Sequence, residues 1–156
     1  MRYEKLLFRI FAIAFILLPI YFLTAWIDFA SIPFPLWLRW SGGVISSAGL
    51  VLFCWTHQVL GQNWTAVLAL SDEHEMVQNG PYYYIRHPMY SAFFIIGIGF
   101  GLLSANWLIG VIYLVPLYIM YEARVTLEEK MMIDRFGDSY REYMKSTGRL
   151  LPRFWI

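Results

Sequence analysis

Charges are sparse in this sequence, and their spacing constrains the fold more than any other feature. Eighteen residues separate Arg9 from Asp28 without an Asp, Glu, Lys or Arg; thirty-two separate Arg39 from Asp72, and thirty-five separate Arg86 from Glu122. A helix that crosses a bilayer needs roughly 17–25 apolar residues. The first window predicts one span at 6–27, and the second predicts one at 36–60 with a polar exit at Gly61-Gln62-Asn63. The third is long enough for two short spans. Ser104-Ala105-Asn106 is its one turn-like cluster, so the window reads as a helical hairpin of 88–103 and 107–123. One long span with a buried re-entrant segment is the alternative, and three or five spans are the fallback to four.

Composition agrees with that reading. The 156 residues suit one unit, a single domain over 1–156. Hydrophobic residues make up 59% and charged residues 15%, against about 45–50% and about 25% in soluble chains. A formal net charge of +1 offers no basic field for a polyanion. Soluble, disordered and nucleic-acid-binding classes are therefore disfavoured. The expected class is all-α: a polytopic transmembrane helix bundle of about four spans, the last two a hairpin, with a cytoplasmic amphipathic helical tail.

Orientation follows from the basic residues near helix ends. Arg2, Lys5 and Arg9 precede the first span, and Arg86 lies in the second loop. Arg124, Lys130, Arg135, Arg141, Lys145, Arg149 and Arg153 follow the last span, and only Arg39 falls on the other side. Four spans put eleven of the twelve basic residues on one face, so both termini are expected in the cytoplasm of an integral, multi-pass membrane protein. Trp26, Trp37, Trp40, Trp64, Tyr82, Tyr83, Tyr84 and Trp107 fall near the predicted helix ends, as an aromatic belt requires. The first apolar run is longer than a signal core, and Thr24-Ala25-Trp26 is a poor cleavage site, so a retained helix is expected. Cys54 stands alone in a span, where a small buried hydrophobe is expected, and no metal site is indicated.

The ionisable residues gather in 61–87 and 122–156, which is where polar chemistry can be housed. Asn79-Gly80-Pro81 signals a turn. Pro88 suits the first turn of a helix. That places His87 and Arg86 beside unpaired N–H groups that attract an anion. The same two residues equally suit a plain interface marker. In the tail, Val125, Met132, Ile133 and Phe136 form an apolar side and Gly137 a stop. The last span is expected to run on into this helix. Asp138 is expected to cap a second helix through Lys145, with Tyr140, Tyr143 and Met144 on its apolar side and Gly148 ending it. Glu128 lies four residues after Arg124 and can pair with it. Taken alone, the Glu128-Glu129 doublet reads as a solvated helix face.

Two blocks change its meaning. Gly80-Pro81-Tyr82 with Arg86-His87-Pro88-Met89-Tyr90, then Glu128-Glu129, Phe136-Gly137, Tyr140, Tyr143 and Arg149-Leu150-Leu151-Pro152, resemble the signature of the isoprenylcysteine carboxyl methyltransferase family, to which the phospholipid N-methyltransferases are related. Leu60-Gly61-Gln62-Asn63-Trp64 and His74 form a weaker upstream block. Members often carry Gly shortly after the Tyr of the Arg-His-Pro motif and a basic residue before the Leu-Gly pair; here Ser91-Ala92 and His57-Gln58 stand instead. The family's archetypes have more N-terminal spans. These departures bear on the substrate more than on the methyl donor.

The resemblance implies S-adenosyl-L-methionine as donor, with His74, Pro81, Tyr82, Arg86, His87, Pro88, Tyr90, Glu128 and Glu129 around it. Arg86 and His87 suit its carboxylate, Glu128 or Glu129 its ammonium, and Tyr82 and Tyr90 its sulfonium. Glu129 is expected as donor ligand or base, and Arg135 or Arg149 as the group orienting an acidic acceptor. The expected partners are the bilayer and a lipidic or small hydrophobic acceptor bearing a carboxylate, thiol or amine. Competing readings are a sterol-reductase-like NADPH-dependent oxidoreductase and a non-catalytic membrane adaptor. The oligomeric state is open.

Overall fold

A computed structural model describes residues 21, 23–61 and 76–153. The regular elements among the described residues are all helical, with no strand among them beyond two isolated bridges. A 3-10 turn at Asp28–Ala30 precedes α1, Leu36–Leu60. A second 3-10 turn, Gly80–Tyr83, leads into α2, Pro88–Ser104. Then come α3, Trp107–Phe136, and α4, Asp138–Ser146. Two of these helices, α1 and α3, are long and apolar enough to cross a membrane, and α2 is a shorter apolar helix. The span expected at 6–27 lies mostly outside the described residues.

The chain divides into two compact units, Met1–Gly49 with Phe93–Glu122, and Leu50–Ala92 with Ala123–Ile156. In the first, α2 turns into α3 through Ala105, whose φ is 50°, and Asn106. Asn106 is fully buried and explains the sharp turn. Its Oδ1 accepts the N–H groups of Leu108 and Ile109, capping α3, while its Nδ2 donates to the Ile27 carbonyl at 2.8 Å. One side chain thus satisfies orphan donors at a helix start and ties in a second segment. Helices approach closely because side chains are missing. A Cβ on Gly42 would lie 2.5 Å from the Leu103 nitrogen, and one on Gly97 would lie 2.4 Å from the Tyr113 ring. The outward residues are apolar: Trp37, Trp40 and Val44 on α1, and Val111, Val115 and Ile119 on α3. Such a surface calls for surroundings other than water.

In the second unit the apolar stretch of α3 has ended at Glu122, and Ala123–Phe136 forms an amphipathic extension that buries Val125 and Glu129. α4 buries Tyr140 and Tyr143. Gly137, with φ of 57°, sits at its N-cap. Asp138, expected as the cap, is instead the first helical residue, where its charge favours the helix N-terminus. Cys54, expected to be buried, is exposed on α1.

Candidate functional site

Gly80 starts the site. Its φ of 57° lets the chain reverse, and a Cβ there would lie 2.9 Å from Val59. The buried Pro81 then accepts the N–H groups of Tyr84 and Ile85 on its carbonyl. This short coil delivers Arg86 and His87 to the two positions just before α2.

There the two motif blocks meet. Arg86 Nε donates to Glu129 Oε1 at 3.0 Å, and its Nη1 donates to the Met144 carbonyl at 3.0 Å and to the Thr147 carbonyl. Arg149 Nη2 donates to Glu129 Oε2 at 2.5 Å, with its Nε 3.1 Å from both carboxylate oxygens. His87 lies between the acids, Nδ1 3.5 Å from Glu128 Oε2 and Nε2 3.5 Å from Glu129 Oε1. Tyr90 Oη donates to Glu128 Oε1 at 2.9 Å, and Arg124 Nε reaches the same oxygen at 3.3 Å.

Burial sets the energetics. The Glu129 and Arg86 side chains are 4% and 8% exposed. A pair this dry is stable only when both charges are satisfied. Burial alone would raise the Glu129 pKa; the nearby His87 ring and the bonds from Arg149 and Arg86 outweigh it and hold the group at about 2. Glu128 is likewise raised by burial but held below the usual carboxylate range by His87, Tyr90 and Arg124. Burial would lower His87, yet its two carboxylate neighbours hold it above the ordinary 6.5. Burial, then Tyr143 and Glu128, push the Tyr82 phenol upward. Three guanidiniums against two carboxylates leave one positive charge in excess before His87 is counted.

The structure thus brings together Arg86, His87, Tyr90, Glu128, Glu129 and Arg149, with Pro81 and Pro88 buried in the backbone that presents them. Tyr82 is attached from behind, its carbonyl accepting the Tyr143 hydroxyl. Glu122, on the face of Glu129 by spacing, is exposed, as is Arg135 in the last turn of α3. His74 lies outside the described residues. Thr147, Met144 and Ser91 also belong to the surroundings of the cluster; the sequence marks Met144 only as an apolar helix position and Ser91 only as a departure from the family pattern, and none of the three as a neighbour of the acids. Only Arg124 could be found there, four residues before Glu128. A cavity of about 280 Å³ opens in the same unit, lined by Gln78, Tyr83, Tyr84, Tyr143, Thr147 and Arg153 among others.

Residues 44–134 match the model of the isoprenylcysteine carboxyl methyltransferase (ICMT) family. A protein-S-isoprenylcysteine O-methyltransferase of Schizosaccharomyces pombe is 33% identical over 94 residues, covering 59% of this chain and 40% of that protein. A protein of the same name from Mus musculus is 30% identical over 139 residues, covering 83% of this chain and 49% of that one. The solved structure described as the eukaryotic intramembrane Ras methyltransferase ICMT, without a monobody, is similar with a TM-score of 0.68 at 28% identity, covering 74% of this chain and 42% of that chain. The chain spans about half the length of the curated relatives it matches.

Proposed function

The chain belongs to the isoprenylcysteine carboxyl methyltransferase family, and from that premise we propose that it transfers a methyl group from S-adenosyl-L-methionine to a lipidic acceptor, with a prenylated cysteine carboxylate the leading candidate. The observation that carries this reading is the convergence of Arg86-His87 and Glu128-Glu129 in one desolvated cluster. The residues suit the donor: an excess of positive charge for its carboxylate, Glu128 for its ammonium, and the rings of Tyr82 and Tyr90 for its sulfonium. When bound, the donor supplies an electrophilic methyl carbon. The acceptor oxygen forms the new bond to that carbon as the carbon–sulfur bond breaks, and its electron pair stays on sulfur, giving S-adenosylhomocysteine.

A carboxylate acceptor needs no base. That matches Glu129, which at about 2 stays ionised and takes up a proton poorly. We assign Glu129 and Arg86 to anchoring, and His87, Glu128, Tyr90 and Arg149 to binding and alignment. Alignment and exclusion of water are then the main contributions to rate. His74, Pro81, Tyr82 and Pro88 complete the proposed donor site, and Arg135, exposed at the helix end, is the candidate to steer an acidic acceptor. The proposed setting is a single domain in a bilayer, with four spans at 6–27, 36–60, 88–103 and 107–123, both termini and the tail cytoplasmic, and the acceptor entering from the lipid.

Calorimetry on the detergent-purified protein tests this. Micromolar binding of S-adenosylhomocysteine, with methylation of a farnesylated cysteine, is expected. Binding of reduced nicotinamide cofactor alone would sink the reading in favour of a reductase, and binding of neither would favour an adaptor.

A further inference from the structure

Residues 147–150 run as a strap along the entrance to α2. The Gly148 N–H donates to the Tyr84 carbonyl at 3.4 Å, the Arg86 N–H to the Gly148 carbonyl at 2.8 Å, and the His87 N–H to the Arg149 carbonyl at 3.0 Å. The last two are donors at a helix start that the helix itself cannot satisfy. A Cβ on Gly148 would lie 1.8 Å from the Leu151 carbonyl oxygen, so the turn that ends the strap requires glycine. The strap carries Arg149, whose guanidinium holds Glu129. Arg149 is therefore placed on Glu129 by the entrance of α2, although Glu129 belongs to α3.

The next contact along is Ser91. Its side chain is buried, and its single hydroxyl hydrogen has two carbonyl neighbours, Leu150 at 2.7 Å and His87 at 3.3 Å. The shorter bond takes the proton. Ser91 is one of the two residues that follow Tyr90, a stretch in which members of the family often carry glycine, which has no hydroxyl to offer.

We propose that Ser91 is a positioning residue whose hydroxyl latches the strap at Leu150 and so keeps Arg149 on Glu129. The latch stands on geometry alone; its use in binding the methyl donor rests on the function proposed above.

Hydrogen exchange on the full chain in detergent tests both parts. The amides of Arg86 and His87 exchange when the strap lifts. In Ser91→Ala they should exchange about fivefold faster, the worth of one neutral hydrogen bond, while the amide of the buried Val125 on α3 keeps its parent rate. Ser91→Thr should restore slow exchange. Unchanged exchange at Arg86 and His87 in Ser91→Ala, or equal acceleration across α2 and α3, would overturn the latch. Saturating S-adenosylhomocysteine should then slow these two amides in the parent. Binding that leaves their rate unchanged would overturn the link between strap and donor. No binding at all would fail the proposed function and leave the latch result standing.

Discussion

In the unit that holds Gly42 and Gly97, helices meet through absent side chains; in the unit that holds Glu129, they meet through buried charge. The first brings backbones so close that one added methyl collides, and it turns apolar residues outward. The second places Arg86 and Glu129 out of water and satisfies each several times over. Close backbone packing holds helices where apolar side chains have no reason to turn inward. A dry ion cluster instead specifies one arrangement, because any partner removed leaves an uncompensated charge. Damage to the first unit should therefore cost stability and spare the chemistry, while damage to the second should cost both.

Glu129→Gln should have the largest effect. It keeps the shape but leaves Arg86 and Arg149 without their carboxylate, at a cost of about 3–5 kcal/mol. Thermal unfolding should drop sharply and calorimetric binding of S-adenosylhomocysteine should vanish; a stable variant that binds like the parent would erase the contrast between units. Gly42→Ala comes next, at about 1–3 kcal/mol from overpacking against the backbone at Leu103. Its melting temperature should fall while its donor affinity stays within about twofold of the parent, since the contacts of the cluster are untouched.

A pH series sharpens the second unit further. His87 faces Glu128 and Glu129, with Arg86 beside it in sequence and Tyr90 one turn on. Its pKa is raised in the fold, so its contribution is complete below 6.5 and is lost as pH rises through the folded value. Glu129 works oppositely: its contribution is present above the ordinary 4.5 and is lost as pH falls towards about 2. Melting temperature should therefore decline on the alkaline side in the parent, and His87→Gln should flatten that limb alone. The smallest effect belongs to Glu142→Gln, which removes an ion pair whose partners are 72% and 71% exposed. Its melting curve should shift by no more than about 0.5 kcal/mol equivalent; a larger shift would mean that exposed charge matters here as much as buried charge.

Most of the helical layout was legible in the charge gaps. α1 occupies the predicted 36–60, starting one turn before the gap from Arg39 to Asp72 and ending inside it, and the polar break at Ser104-Ala105-Asn106 became the turn between α2 and α3. α3 continues past Ala123 into the charged tail, as the apolar spacing of Val125, Met132 and Phe136 required. Of the candidate site, Arg86, His87, Glu128 and Glu129 were visible as motif residues, and Arg124 as a helix neighbour of Glu128. Their mutual pairing was not visible. Arg86 and Glu129 are forty-three residues apart, and local spacing carries no information across that distance. The same holds for Ser91 and Leu150, and for the use of Arg86 on the carbonyls of Met144 and Thr147.

By itself, the sequence determined a chain that must hide long apolar helices from water and must collect its charges in two segments, because a bilayer core tolerates neither loose backbone nor unpaired charge. Only the tertiary structure decided that the charges of the two segments pair with one another. Arg86 and His87, which the sequence offered equally as an anion site or as an interface marker, hold Glu129 and border Glu128. The reason is physical: whether a buried charge serves a ligand or a neighbour depends on which groups lie within a few ångströms, and that distance is set by the fold.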